Sequence, residues 1–171
     1  RSSEHLSSLI EDILDIAGIE ERKFELRYTA LDLPALIEHL VSSFKTQAED
    51  KGLIFRCQVN DPLPQKVRGD EKRIRQVLIN LLSNAIKFTN KGEIIFCINY
   101  RSEVATFQII DNGEGISETD IENIFQPFTR LSQVKGNAIV GNGLGLTISK
   151  IITELMGGEI TVISTKNKGS T

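Results

Sequence analysis

Three groups of residues have types and spacings that could do chemistry. The first is Asn80, Asn84 and Lys87 in the stretch Asp70–Phe88, DEKRIRQVLINLLSNAIKF. If that stretch is helical, the two carboxamides stack one turn apart and the ammonium follows a turn later. Asparagine competes for a helix's own backbone hydrogen bonds, so two on one edge of so apolar a segment need a reason. Carboxamide oxygens are hard, neutral donors suited to Mg²⁺, which keeps several waters and usually binds phosphates at the same time. Lys87 would add a point charge for those phosphates. Alone, the pattern also fits an ordinary amphipathic helix with a polar outer face.

The second group, Asp111-Asn112-Gly113-Glu114-Gly115-Ile116, directly follows the apolar run 105–110. Glycines let backbone approach a ligand, and a carboxylate at a strand end can accept a hydrogen bond from a ligand amino group. The same residues are also common turn chemistry. The third, Gly141-Asn142-Gly143-Leu144-Gly145-Leu146, runs into a helical pattern over Thr147–Met156. Unsatisfied N–H groups and the positive end of the dipole make such a helix start ready for phosphate. It lacks the Gly-Lys-Ser/Thr ending of a Walker A loop and does not follow a strand as a dinucleotide fingerprint does. A flexible hinge is the plain alternative.

Several elements must hold these groups in place. Asp70 is an N-cap candidate, and Ile74, Val77, Leu78, Leu81, Leu82, Ala85 and Phe88 fall on one broad face at ~100° per residue. Arg73, Gln76, Asn80, Ser83, Asn84 and Lys87 share an arc of roughly 120°. Upstream, Leu6, Leu9, Ile10, Ile13, Ile16 and Ala17 make residues 1–19 an amphipathic helix, read as an appendage with little nearby to pack on. A polar linker follows over 20–23. The pattern then predicts a strand Phe24–Thr29, a helix from Asp32 to Lys51 with Pro34 in its first turn and Gly52 as its stop, and a strand Leu53–Val59. After the loop 60–64 and the Asp70 helix come a hairpin of Glu93–Tyr100 with Val104–Asp111 and a short helix 118–124 capped by Ser117 with Asp120. A helix Gly143–Met156 and a strand Glu159–Thr165 close the chain. About five strands and three longer helices predict an α+β fold, a two-layer α/β sandwich whose mixed sheet is covered on one face. The long connection 112–142 reads as a lid or binding loop.

Composition narrows the classes. The chain has 171 residues, 40% hydrophobic and 25% charged, enough for one full core. A net charge of −3 argues against a nucleic-acid grip. No apolar run approaches the ~20 residues that span a bilayer, and no signal peptide is visible. Cys57 and Cys97 fit neither a disulfide framework nor a zinc spacing and read as free buried thiols in a reducing compartment. With no initiator methionine and a start inside a helical pattern, the sequence is expected to be a piece of a larger protein.

The order of the groups, with Phe125-x-x-Phe128 between the second and third, resembles the catalytic, ATP-binding domain of sensor histidine kinases. That family lies in the wider group of gyrase-like and Hsp90-like ATPases with the Bergerat-type fold. Its N, G1, F and G2 boxes are similar to Asn80–Phe88, Asp111–Gly115, Phe125–Phe128 and Gly141–Leu146. Residues 23–171 correspond to the ATP-binding domain, and 1–22 resemble the second helix of the dimerisation and phosphoacceptor bundle of hybrid-type kinases, with its linker.

The resemblance implies ATP and Mg²⁺ as cofactors. Asn84 would ligate the metal with Asn80 close to metal and phosphates, Lys87 would sit on a phosphate, and Phe88 would lie near the base. Asp111 would bond the adenine amino group; Gly113, Gly115, Ile116, Phe128, Leu144 and Leu146 would shape the pocket. Gly141, Gly143 and Gly145 would let the lid close, and Arg130 resembles a lid arginine on the γ-phosphate. Asn80, Lys87 and Arg130 would be the catalytic residues of γ-phosphoryl transfer to a histidine on an upstream helix absent from this chain. The implied partners are a second copy through the N-terminal helix and the receiver domain of a response regulator. Nucleic acid and membrane contact are not implied, and the implied location is cytoplasmic. Two departures stand out. His5 is followed by Leu6 where the family's acceptor precedes an acid, and His39 lies among ordinary helix residues, so neither fits the acceptor. The chain ends at Lys168-Gly169-Ser170-Thr171, where the family's G3 box begins, so the final strand is expected to be missing or cut. The alternatives are a hydrolysing ATPase of chaperone or topoisomerase type, which resembles this chain but carries glutamate at the position of Asn80, and a degenerate binding or dimerisation module.

Overall fold

Both long helices start on an aspartate. In the computed structural model Asp32 accepts a hydrogen bond from the Ala35 N–H at 2.9 Å and opens α1 (Leu33–Asp50), with Pro34 in its first turn. Asp70 accepts from the Arg73 N–H at 3.1 Å and opens α2 (Glu71–Phe88), as its position predicts. The structure describes residues 10, 13–15, 17, 18, 24–127, 129 and 143–171. Its other elements are β1 (Thr29–Asp32), β2 (Ile54–Val59), β3 (Lys66–Gly69), β4 (Glu93–Arg101), β5 (Val104–Asp111), α3 (Glu118–Ile121), α4 (Gly145–Leu155), β6 (Ser164–Thr165) and β7 (Gly169–Ser170).

Five strands form a mixed sheet in the order β2-β4-β5-β7-β6, with β2 parallel to β4 and the other pairs antiparallel. This is the α+β arrangement the pattern predicts. β1 and β3 pair separately as an antiparallel ribbon. Strand alternation sends Ile94, Phe96 and Ile98 of β4 inward, each 0% exposed, against Leu36, Leu40 and Phe44 of α1 and Leu78, Leu82 and Ala85 of α2. Truncating a side chain such as Leu82 would cost about 2–5 kcal/mol. A second, smaller core lies between α2 and α4, where Val77 meets Leu144, Ile148 and Ile152, with Phe24 packed against them.

The register also fixes the thiols. Cys57 lies opposite the inward Phe96, whereas Cys97 lies opposite Gln58, so the two cysteines point to opposite faces of the sheet and cannot bond. Both are free, Cys97 buried and Cys57 half-buried, and burial pushes both thiols up from their ordinary value.

Several expectations are corrected. Residues 24–28 are not strand: Asp70 Oδ2 accepts the Arg27 N–H at 2.8 Å, which uses the backbone in a side-chain contact, and pairing begins at Thr29. β3 lies in the stretch 65–69 to which the pattern assigns no element, because four residues are too few to declare a strand alone. The last strand is confined to Ser164–Thr165, and α4 begins at Gly145 rather than Gly143. Gly169–Ser170, to which the pattern assigns no element, pairs with β6 and meets β5 at Asp111. The N-terminal helix does find something to pack on. Asp15, one of its described helical residues, accepts from Arg73 at 2.7 Å and from Gln76 at 2.9 Å, both on α2.

Candidate functional site

One helix organises the site, because α2 touches both glycine-bearing segments. Near its middle, the Asn80 Nδ2 donates to Ser149 Oγ on α4 at 2.9 Å. The Asn80 Oδ1 lies so close to Gly145 that a β-carbon there would collide with it. Asn80 therefore faces the start of α4 at Gly145. Asn84, half-buried, follows one turn later, and no hydrogen bond to its carboxamide is present among the described residues.

At its other end α2 meets the second glycine group. The Phe88 carbonyl accepts the Glu114 N–H at 3.2 Å, and a β-carbon on Gly113 would sit 2.6 Å from that carbonyl. Only glycine allows this approach. Gly115 has φ +60°, and a side chain there would run into the Thr165 carbonyl. Ser164 Oγ accepts the Ile116 N–H at 2.8 Å and so ties this turn to β6. Asn80 and Phe88 are eight residues apart, so α2 holds the two glycine segments roughly 12 Å from one another along its axis. Lys87 lies between them, its ammonium 4.9 Å from the Phe88 ring centroid.

Asp111 ends β5 at the edge of this region. Its Oδ1 accepts the Gly113 N–H at 2.7 Å. Burial pushes its carboxyl above the ordinary carboxylate value, and hydrogen bonds from the backbone of Gly113 and Ser170 pull partly against that. It is a half-buried acceptor at a strand end, well suited to an amino group.

The start of α4 differs from that of the other described helices. Side-chain oxygens of Asp32, Asp70 and Ser117 cap α1, α2 and α3, whereas Leu144, the N-cap of α4, gives no side-chain hydrogen bond. The first-turn N–H groups beside Gly145 and Leu146 thus lack the usual cap. In the same turn the Thr147 hydroxyl is buried without a partner among the described residues, and Thr89, next to Phe88, holds a second such hydroxyl. Leu144 itself is 1% exposed and plugs the α2–α4 core, so its role is packing. Gly143 has φ +70° and leads the chain into this turn. A carboxamide pair, an uncapped helix start and an orphaned hydroxyl suit a magnesium-bound phosphate chain, and the glycine-lined Asp111 end suits a base.

Phe128, Arg130 and Gly141 lie outside the described residues. Phe125 is half-buried, 5.4 Å from the Lys150 ammonium, and the buried anchor beside it is Ile124 at 6% exposure. His39 is exposed on α1, and His5 lies outside the described residues. The sequence reading missed three groups that hold the site. Ser149 fixes Asn80, and its signal was a small polar residue four positions after Gly145 on an apolar helix. Lys51 donates to the Ile86 and Lys87 carbonyls at 2.6 and 2.9 Å, closing the end of α2 from 35 residues away, and Ser164 anchors Ile116. Neither of these two contacts has a local signal.

Comparisons with known proteins point to one family. A family model described as Histidine kinase-, DNA gyrase B-, and HSP90-like ATPase matches residues 69–171. The aerobic respiration control sensor protein ArcB of Escherichia coli is 35% identical over 168 residues, covering 97% of this chain and 22% of that protein. The chain spans less than a quarter of the length of the curated relatives it matches. Full-length ShkA in complex with AMPPNP superposes with a TM-score of 0.83 at 29% identity, covering 99% of this chain and 35% of that one. Histidine kinase ThkA in complex with the response regulator protein TrrA does so at 0.70 and 26% identity, covering 96% of this chain and 46% of that one. With more than half of its length matched by the family model and the corresponding fold around its carboxamide helix, the chain belongs to the family of histidine kinase-, DNA gyrase B- and HSP90-like ATPases.

Proposed function

We propose that this chain binds ATP with Mg²⁺ and serves as the phosphoryl-donating domain of a sensor histidine kinase. The observation that carries the reading is the seating of Asn80 on the start of α4 while the Phe88 carbonyl is tied to the Asp111–Gly115 turn. One helix thereby links a place for phosphates to a place for a base. The ShkA structure, which contains AMPPNP, supports the same use of this fold.

In this reading Asn84 holds the metal with Asn80 beside it. When bound, Mg²⁺ neutralises charge on the triphosphate. Lys87 adds a fixed positive charge, and the uncapped N–H groups of α4 aim a further positive field at the phosphates. Asp111 accepts from the adenine amino group, and its backbone partners hold the carboxylate in place. Phosphoryl transfer depends on positioning and charge stabilisation more than on covalent chemistry by the protein, and these groups supply both. Arg130 and Phe128 would complete the site from the lid. Asn80 cannot take up a proton, so it does not activate water as a glutamate would, and transfer is favoured over hydrolysis. The acceptor is a histidine outside this chain, since neither His5 nor His39 fits. Residues 1–22 belong to a dimerisation helix that pairs with a second copy, and 23–171 form the ATP-binding domain. The receiver domain of a response regulator is the partner in this reading, in keeping with the structure of ThkA in complex with the response regulator protein TrrA. Among the described residues no helix is long and apolar enough to cross a membrane, which suits a cytoplasmic portion of such a sensor.

Calorimetry of the chain with ATP in the presence and absence of Mg²⁺ tests the reading. Saturable binding strengthened by Mg²⁺ is expected, with most of that gain lost in Asn84→Ala. Incubation with γ-labelled ATP should leave this chain alone unlabelled. A flat titration, or rapid ATP hydrolysis, would overturn the assignment.

A further inference from the structure

We infer that Ser149 is a positioning residue that sets which end of the Asn80 carboxamide faces the phosphate and metal side of the site. The inference rests on the roles proposed above for Asn80 and Asn84.

An asparagine side chain presents an acceptor at one end and two donors at the other, and rotation of the amide exchanges them. For Asn80 to help hold a cation, the oxygen must face it. In the structure the amide has that sense. The Nδ2 donates to Ser149 Oγ at 2.9 Å, and the Oδ1 lies against Gly145 at the start of α4. Ser149 sits one turn further along the same helix and is 2% exposed, so water does not compete for its hydroxyl. The first-turn N–H groups of α4 have no side-chain cap and are donors, so the amide oxygen rather than its NH₂ is favoured beside Gly145, and the Ser149 oxygen has a lone pair to accept the NH₂. The donor end of Asn80 is thus drawn into the α2–α4 seam, where Val77, Leu144, Ile148 and Ile152 exclude solvent. Its acceptor end is left at the mouth of the uncapped helix. Partners that orient a ligating group without touching the metal commonly matter about 10- to 100-fold in metal affinity.

The first test needs no nucleotide. The Asn80 side-chain NH₂ signals, assigned by their loss in Asn80→Asp, should exchange slowly with solvent in the native chain and quickly in Ser149→Ala. Exchange in the native chain as fast as that of an exposed amide would overturn the inference. The second test separates positioning from simple packing. Affinity for ATP without Mg²⁺ should change less than about twofold in Ser149→Ala, while the extra affinity gained with Mg²⁺ should fall about tenfold. Ser149→Thr, which keeps the hydroxyl, should restore that gain. Equal losses with and without Mg²⁺, or no loss at all, would overturn it. If instead the native chain binds ATP equally well with and without Mg²⁺, the reading of the two carboxamides fails first, and the failure is recognised because it occurs without any substitution.

Discussion

Asp15 and Arg73, 58 residues apart in the chain, meet at 2.7 Å with side chains only 14% and 15% exposed. Arg73 also lies with its guanidinium 4.3 Å from the Phe24 ring centroid, and Gln76 donates to the same Asp15 oxygen at 2.9 Å. The N-terminal helix and the residues after the linker are therefore both seated on the first turns of α2. Phe24 in turn belongs to the α2–α4 core.

That seam should behave as one unit. Arg73→Ala leaves Asp15 largely shielded from water without its cation and removes the plate on which Phe24 rests. A double-mutant cycle with Asp15→Asn, read by chemical denaturation, should give a coupling of about 0.5–3 kcal/mol. Hydrogen exchange should speed up in the helical residues 13–15, 17 and 18 and at 24–28 while β4 and β5 stay protected. Additive effects would show that the pair contributes no more than an exposed ion pair.

Lys51 should hold the end of α2. Its ammonium donates to the Ile86 and Lys87 carbonyls, which a helix otherwise leaves open, in the turn that carries Lys87 and Phe88. Burial lowers its pKa and the Glu114 carboxylate raises it, with burial the larger effect. Lys51→Met should cost about 0.3–1 kcal/mol of stability in thermal melts. The amides nearest Phe88 should also exchange faster, with ATP affinity reduced at least in step. Unchanged exchange there would remove Lys51 from the site's support.

These contacts mark where reading the sequence stops. Helical periodicity placed Asn80, Asn84 and Lys87 on one edge of α2, and the cap at Asp70 fixed its start. Alternation gave β4 and β5, including the end of β5 at Asp111. All of these depend on neighbours within about four residues. The same helical arc also held Arg73 and Gln76, yet the structure divides it: they bind Asp15, while Asn80 binds Ser149. Nothing in a period of 3.6 says which polar residue of one stripe faces which neighbour. β3 and β7 escaped for a related reason, since strands of four and two residues exist only because of the strand beside them.

Asp111 should show a conflict between function and stability. Burial raises its pKa in the fold, so between the ordinary carboxylate value and the raised one the native chain binds more protons than the unfolded chain. Its contribution to stability is therefore complete at the acid end and is lost as pH rises through the raised value. Asp111→Asn removes that part of the pH dependence. Melts of the two proteins between about pH 3.5 and 7 should differ in this sense, with the variant gaining relative to the native chain as pH rises. The same substitution deprives an adenine amino group of its charged acceptor, and ATP affinity should fall about tenfold or more. A variant that binds ATP normally would place the base elsewhere.

Two glycines should give opposite outcomes, because their missing β-carbons meet different obstacles. At Gly145 the collision is with the Asn80 carboxamide, a side chain that can swing away. Gly145→Ala should leave the melting temperature unchanged or slightly raised, since alanine is favoured over glycine in a helix by up to about 1 kcal/mol. Displaced from Ser149, Asn80 can no longer present its oxygen at the helix mouth, so Mg²⁺-dependent ATP affinity should drop about tenfold. At Gly115 the obstacle is backbone, with the Thr165 carbonyl carbon 2.8 Å and the Gly169 oxygen 3.2 Å from the added carbon, and φ is +60°. Gly115→Ala must open the contact between the Asp111–Ile116 turn and the β6–β7 pair. It should lower the melting temperature by several degrees before ATP is added. If Gly145→Ala melted early as well, the Asn80 carboxamide would be a structural wedge rather than a group held ready for a ligand.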